Sequence, residues 1–323
     1  MQVSDKTLYK SSVVLRKHSL FFSDTEAWFP NLFVPGAGRS GTTTLFNCLN
    51  QHPDIYMAKD KEPDFFSNDN TFQLQDEYYK PLFLCGRDHR YRGEASVSYM
   101  TSLKAATRIK HLAQSPRFIF ILRNPIDRAI SHYYYWQSKG FEHQPFNQAF
   151  ESSFTLNPET EVKLPDYYAG SCYGKWIKYY QAIFGSQNIH IITTESLKDV
   201  PVKVINSCFS FLDLPLLNTI KVPYLNSSGS ASYSSLYKDV MNRLERNNTF
   251  KSIYQKLPVQ LRIVLRRKFV NSLICIKGPS NSSNGKPIID HKVRRWVADY
   301  YHDDVEALKK LTDLSFIEWP EFR

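Results

Sequence analysis

The stretch Leu32-Phe33-Val34-Pro35-Gly36-Ala37-Gly38-Arg39-Ser40-Gly41-Thr42-Thr43-Thr44 decides the fold of this chain. It reads as a short buried strand, a glycine-rich turn and the start of a helix over Thr42–Leu49. That order gathers backbone N–H groups and a helix N-terminus around one point, a site suited to phosphate or another anion. Against the pattern G-x-x-x-x-G-K-[ST], Gly36 and Gly41 fit, but Thr42 stands in the place of the lysine. Arg39 is the only cation of the loop. A phosphate loop without its lysine argues against ordinary ATP chemistry and for another phosphorylated donor.

Further along, Arg117-Phe118-Ile119-Phe120-Ile121-Leu122-Arg123 is a near-continuous apolar run, the pattern of a parallel strand buried on both faces. Asn124-Pro125 stops it, and helical spacing follows from Ile126 to about Gln137. Arg123 then lies at the C-terminal edge of a strand, with Ser131 on the next helix, where open α/β sheets bind ligands. The pair suits a second phosphate, distinct from the one at the loop.

Around these motifs the pattern alternates strand, loop and helix, which predicts an α/β fold with a central parallel sheet flanked by helices and a P-loop-like nucleotide-binding core. Another short buried strand is expected over 188–194, between helices over Tyr173–Phe184 and Val202–Leu212, and a long terminal helix over His291–Leu311, with Trp319 packing after it. No linker divides the chain, so residues 1–323 are expected to form one domain. Residues 1–30 would be an N-terminal arm, and residues 224–290 loops and helices that cover donor and acceptor.

At 323 residues with 42% hydrophobic and 15% aromatic residues, the chain is long and apolar enough for a sizeable core. A net charge of +10 favours anionic ligands, but zinc-finger spacing and RNP-like motifs are missing, so nucleic acid is not the expected partner. Cys48, Cys85, Cys172, Cys208 and Cys275 are scattered, without C-x-x-C spacing, as in an enzyme with reduced thiols. The sequence contains neither an apolar run of about 18 residues nor a signal-peptide core, so a cytoplasmic enzyme is expected. A trimmed domain from the Golgi lumen would read the same way, and without a secretory signal the sequons at Asn226, Asn247 and Asn281 count as chance matches.

Taken in order, GAGRSGTTTL and LRNPIDRAISHYY resemble the two donor-binding motifs of the sulfotransferases that use 3′-phosphoadenosine 5′-phosphosulfate (PAPS) and release PAP. The likeness runs from about Leu32 to the C-terminus, and is closer to the heparan-sulfate-type and bacterial branch than to the cytosolic phenol and steroid branch. It implies that Arg39, Ser40, Gly41, Thr42 and Thr43 hold the 5′-phosphosulfate, and that Arg123 and Ser131 hold the 3′-phosphate. It further implies Tyr173 beside the nucleotide. Lys286 is expected on the 3′-phosphate, with Lys277-Gly278 as the competing alignment. A sulfuryl group carries less charge than a phosphoryl group, so protein cations can suffice and no metal is expected. Arg39 is the candidate for stabilising the leaving group.

Lys61-Glu62-Pro63-Asp64-Phe65-Phe66 resembles the Lys-Glu-x-x-Phe-Phe element of the same branch, where the glutamate faces the acceptor hydroxyl. Glu62 is therefore the expected general base, a role that burial promotes by lifting a carboxyl pKa. Glu94 is a second candidate at the acceptor. The heparan-sulfate branch has a lysine after this glutamate, but this chain has Ala95, which weakens the case for a sulfated glycan. His132 adjoins Ser131 but does not stand where the cytosolic branch carries its histidine base. Tyr134, Trp136 and Tyr168 belong to aromatic runs suited to stacking a small-molecule or sugar acceptor, or to core packing. The leading expectation is sulfuryl transfer to a hydroxyl or amine of a small-molecule natural product. A glycan sulfotransferase, an ATP-using kinase and a non-catalytic nucleotide-binding protein are the alternatives.

Overall fold

A computed structural model describes residues 28–154, 165–223 and 289–323. Nearly all of the expected N-terminal arm and of the covering segment, with Lys277-Gly278 and Lys286, lies outside the described residues; Trp28 and Phe29 at the end of the arm are buried in the core. Five strands form the sheet: β1 (Leu32–Phe33), β2 (Ile55–Met57), β3 (Tyr91–Glu94), β4 (Arg117–Leu122) and β5 (Ile189–Thr193). The principal helices are α1 (Thr42–Leu49), α2 (Leu103–Leu112), α3 (Pro125–Ser138), α4 (Phe146–Ser152), α5 (Tyr173–Phe184), α6 (Thr194–Asp199), α7 (Pro201–Phe211) and α8 (His291–Thr312).

The strands run in the order β2-β3-β1-β4-β5 and every pairing is parallel. Strand alternation divides β4 between two cores. Phe118, Phe120 and Leu122 enter an aromatic core with Phe33, Tyr99, Trp176 and Tyr180. Ile119 and Ile121 enter an aliphatic core with Leu45, Cys48, Ile205 and Phe209. Cys48 and Cys208 are buried there, as their apolar helical contexts predict. Each fully buried Phe or Ile contributes roughly 1.5–3 kcal/mol, so this one strand anchors much of the sheet.

After β1 the chain runs to β2 and β3 on one side, then crosses to β4 on the other. The order therefore reverses between β1 and β4, and the crevice beyond their C-terminal ends is where such sheets bind ligands. The glycine loop follows β1 at that point and Arg123 follows β4. The Asn124 side chain caps α3 by accepting from the N–H groups of Ile126 and Asp127, and Pro125 takes the first helical position, where no N–H is needed.

The C-terminal helix braces this arrangement. Asp304 on α8 accepts from the N–H groups of Gly174 and Lys175 at 2.8 and 2.9 Å, capping α5 from outside. Arg294 joins Asp127 to Glu321, and Glu321 also accepts from Asn124. Trp319 is buried after α8, as the sequence predicts, and its partner is Tyr173.

Candidate active site

The glycine loop is tied down on several sides. Ala37 N–H donates to the Ile121 carbonyl at 2.8 Å and Ile121 N–H to the Gly36 carbonyl at 2.9 Å, extending the sheet into the turn. Arg128 Nε donates to the Gly38 carbonyl at 3.1 Å, and Arg123 Nη1 to the Arg39 carbonyl at 3.3 Å. Thr194 Oγ1 lies 2.6 Å from the Ser40 carbonyl oxygen.

With its carbonyls so engaged, the loop presents N–H groups at the start of α1. Gly41 is the N-cap, at φ 93°, where a side chain would be strained. It offers no side-chain cap, and the first turn carries no acid. The N–H groups of Thr42, Thr43 and Thr44 are thus left for an external acceptor. A caged helix start without a cap of its own fits a phosphate or sulfonate group.

Cations converge on the same point. Arg39 Nε donates to Ser131 Oγ at 3.4 Å, and its guanidinium lies 4.8 Å from the Tyr135 ring centre. Burial is the largest influence on Arg39 and lowers its pKa; Tyr135 opposes that, while nearby Arg123 and Arg128 reinforce it. Like charges held this close call for an anion between them. Arg39, Gly41, Thr42, Thr43, Glu62, Arg123, Ser131 and Trp136 all line one cavity of about 990 Å³. These are the predicted residues that the fold brings together.

Other candidates stand elsewhere. The Ser40 side chain is wholly buried beneath the loop, next to the buried Tyr173 hydroxyl, and neither closes a hydrogen bond of standard geometry. Tyr173 supports the loop from below and does not contact the cavity. Glu94 is wholly buried, and its carboxyl group accepts from Tyr79, from Ser96 at 2.7 Å and from Tyr99 at 3.0 Å. It is a core acid and not an acceptor contact, because Glu94 pairs with Phe33 in register and so faces the aromatic core. Tyr168 stacks on Tyr301 at 5.5 Å, and Tyr134 packs on the same core away from the cavity.

Several cavity residues escape the sequence reading. Arg128 and Asp166 form a buried pair at 2.9 Å, and Asp166 also accepts from His132 Nδ1 at 3.0 Å. Burial alone would raise Asp166, but Arg128 and His132 outweigh it and hold the pKa down at about 2. Lys61 reaches Glu62 Oε1 at 2.8 Å and Thr42 Oγ1 at 3.3 Å. Lys198 lines the cavity as well, and so does Tyr135, from the same aromatic run as Trp136. A signal for some of these was available: Arg128, Ser131, His132, Tyr135 and Trp136 repeat at three and four residues along α3, one face of a helix.

A family model of the sulfotransferase domain matches residues 29–259. Human heparan sulfate glucosamine 3-O-sulfotransferase 3B1 is 27% identical over 214 residues, which are 65% of this chain and 53% of that protein. Human heparan sulfate glucosamine 3-O-sulfotransferase 6 is 32% identical over 105 residues, 32% of this chain and 30% of that protein. The chain thus spans about half the length, or less, of these curated relatives. A sulfotransferase from Alicyclobacillus acidocaldarius shares the fold, with a TM-score of 0.61, 23% identity, and coverage of 90% of this chain and 98% of that one. With the sulfotransferase match covering well over half of its residues and the two anion-binding motifs meeting in one cavity, this chain belongs to the sulfotransferase domain family.

Proposed function

We propose that this chain transfers a sulfuryl group from PAPS to a hydroxyl or amine of an acceptor, acting as one domain. The observation that carries the reading is the convergence of Arg39, Arg123 and Ser131 on the uncapped start of α1, in a cavity that also holds Glu62. One nucleotide with phosphate groups at two positions satisfies both motifs at once.

PAPS, when bound, supplies an activated sulfuryl group on a phosphate leaving group. The N–H groups of Thr42–Thr44 hold its 5′ end, and Arg123 and Ser131 its 3′-phosphate. Arg39 faces the charge that builds on the leaving oxygen, in a site partly shielded from water. Glu62, whose side chain is 32% exposed on the cavity wall, takes the proton of the acceptor. Tyr135 and Trp136 give the wall an aromatic part that suits a small molecule or a single sugar ring. The names of the matched relatives favour a second reading, in which the acceptor is a glycan. Among the described residues no helix is long and apolar enough to cross a membrane; a cytoplasmic location is our working assignment, with the Golgi lumen as the alternative.

The test is calorimetric binding of PAP, with ATP as control, in EDTA, on wild type and Arg123→Ala. We expect tight metal-free binding that depends on the 3′-phosphate and collapses in the variant. A preference for ATP that needs magnesium would overturn the assignment in favour of a kinase, and PAP binding without turnover against any acceptor would favour a binding protein.

A further inference from the structure

Lys61 occupies a position that neither anion motif explains. It comes from the segment after β2, far from the glycine loop in sequence, yet its ammonium lies 3.3 Å from Thr42 Oγ1 and 2.8 Å from Glu62 Oε1. Thr42 is the first residue of α1 and stands where the lysine of a phosphate loop would be. One cation on the cavity wall therefore spans the anion-binding loop and the carboxylate assigned as base. The side chain is only 15% exposed, so it is held there and not spread into solvent.

We propose that Lys61 is a catalytic residue that contacts the transferring sulfuryl group, restoring from another segment the cation missing from the loop; this rests on the PAPS reading above. In-line transfer sets the sulfur between the leaving oxygen at the loop and the incoming oxygen at Glu62. A group that touches both ends lies beside the non-bridging sulfuryl oxygens. An ammonium has three N–H donors, and Thr42 and Glu62 engage two of them. With donor present, Lys61 turns toward the sulfuryl oxygens and loosens its hold on Glu62, leaving that carboxylate free to accept a proton. The bond from sulfur to the bridging phosphate oxygen breaks with its electron pair going to the phosphate, the bond to the acceptor oxygen forms, and the acceptor proton passes to Glu62. Lys61 keeps its own proton throughout.

Water serves as the acceptor in the test, so none need be identified. Wild type, Lys61→Met and Lys61→Arg are compared in PAPS hydrolysis, and by calorimetry with PAP, which lacks the sulfuryl group. We expect Lys61→Met to slow hydrolysis about 100-fold, the usual effect of removing one electrostatic donor, while PAP affinity stays within a few-fold of wild type. Lys61→Arg, which keeps a cation, should retain clearly more hydrolysis than Lys61→Met. Unchanged hydrolysis in Lys61→Met, or equal losses of PAP affinity and hydrolysis, would overturn the role of Lys61 alone. Wild type that binds no PAP would overturn the donor reading and this inference with it.

Discussion

Trp136 Nε1 donates a hydrogen bond to His132 Nε2 at 2.7 Å. Indole nitrogen is only a donor, so Nε2 must be the bare nitrogen of a neutral ring, and Nδ1 must carry the proton, which it gives to Asp166 at 3.0 Å. Burial first, and the Arg128 charge second, keep the His132 pKa below its ordinary value, against the pull of Asp166. With both nitrogens engaged, His132 has no free lone pair for an acceptor. We expect nitrogen-resolved NMR to show one Nδ1–H tautomer that stays neutral from pH 8 down through the usual histidine range near pH 6.5. A ring that titrates there would restore His132 as a candidate base.

Among the described residues three carboxylates line the cavity: Asp166 is paired with Arg128 and Asp64 accepts from Ser98, which leaves Glu62, held by Lys61, as the base beside the anion loop in our reading. Glu62→Gln should lower the rate of sulfuryl transfer by about 10²–10⁴-fold, the range for loss of a general base, with PAP affinity unchanged. Glu94→Gln should leave transfer near wild type, because Glu94 is sealed among Tyr79, Ser96 and Tyr99. Steady-state rates of the two variants, side by side with PAP calorimetry, decide between them.

The contrast between these two glutamates shows where sequence reading stops. The run Phe118–Leu122 could be assigned to a central strand because both of its faces are apolar, and Asn124-Pro125 reads as a cap and first helical residue because each type suits that place. Glu94 could not be read so directly. Whether a strand-end carboxylate faces a cleft or the core depends on register, here its pairing with Phe33, and on hydroxyls from Tyr79 and Tyr99 that only the folded chain brings to it. Tyr134 and Trp136 show the same limit on a helix. At about 100° per residue they cannot share a face, and only Trp136 lies on the one that Arg128 and Ser131 turn toward the cavity.

Arg128 and Asp166 hold the glycine loop through the Gly38 carbonyl, so breaking the pair should act on stability and donor binding together. Asp166→Asn leaves a buried guanidinium unpaired, which costs about 3–5 kcal/mol. Gly170→Ala should weaken the same pair sterically, since an added methyl would lie 2.5 Å from Arg128 Nη2. The Asp166 pKa is depressed on folding, to about 2, so its contribution is present above the unfolded value near 3.8 and fades as pH falls through about 2. Chemical denaturation between neutral pH and pH 2 should show that slope in wild type but not in Asp166→Asn.

Glu94 predicts a pH dependence of the opposite sign. Burial raises its pKa from 4.5 to about 7, against hydrogen bonds from three hydroxyls that lower it, with the charge of Asp64 adding to the rise. The folded chain therefore keeps a proton that the unfolded chain has already released. Below about pH 4.5 both states are protonated and no penalty arises; between about 4.5 and 7 stability falls as pH rises, by a total on the order of 3 kcal/mol, and above that the loss is complete. Glu94→Gln removes the titrating group while keeping an oxygen that can accept from Tyr79 or Tyr99. Its stability relative to wild type should climb from near parity at pH 5 to a clear advantage at pH 7.5, read as a shift in denaturant midpoint. A difference that stays constant across that range would mean that Glu94 is already ionised in the folded protein at pH 5, and that the three hydroxyls outweigh its burial.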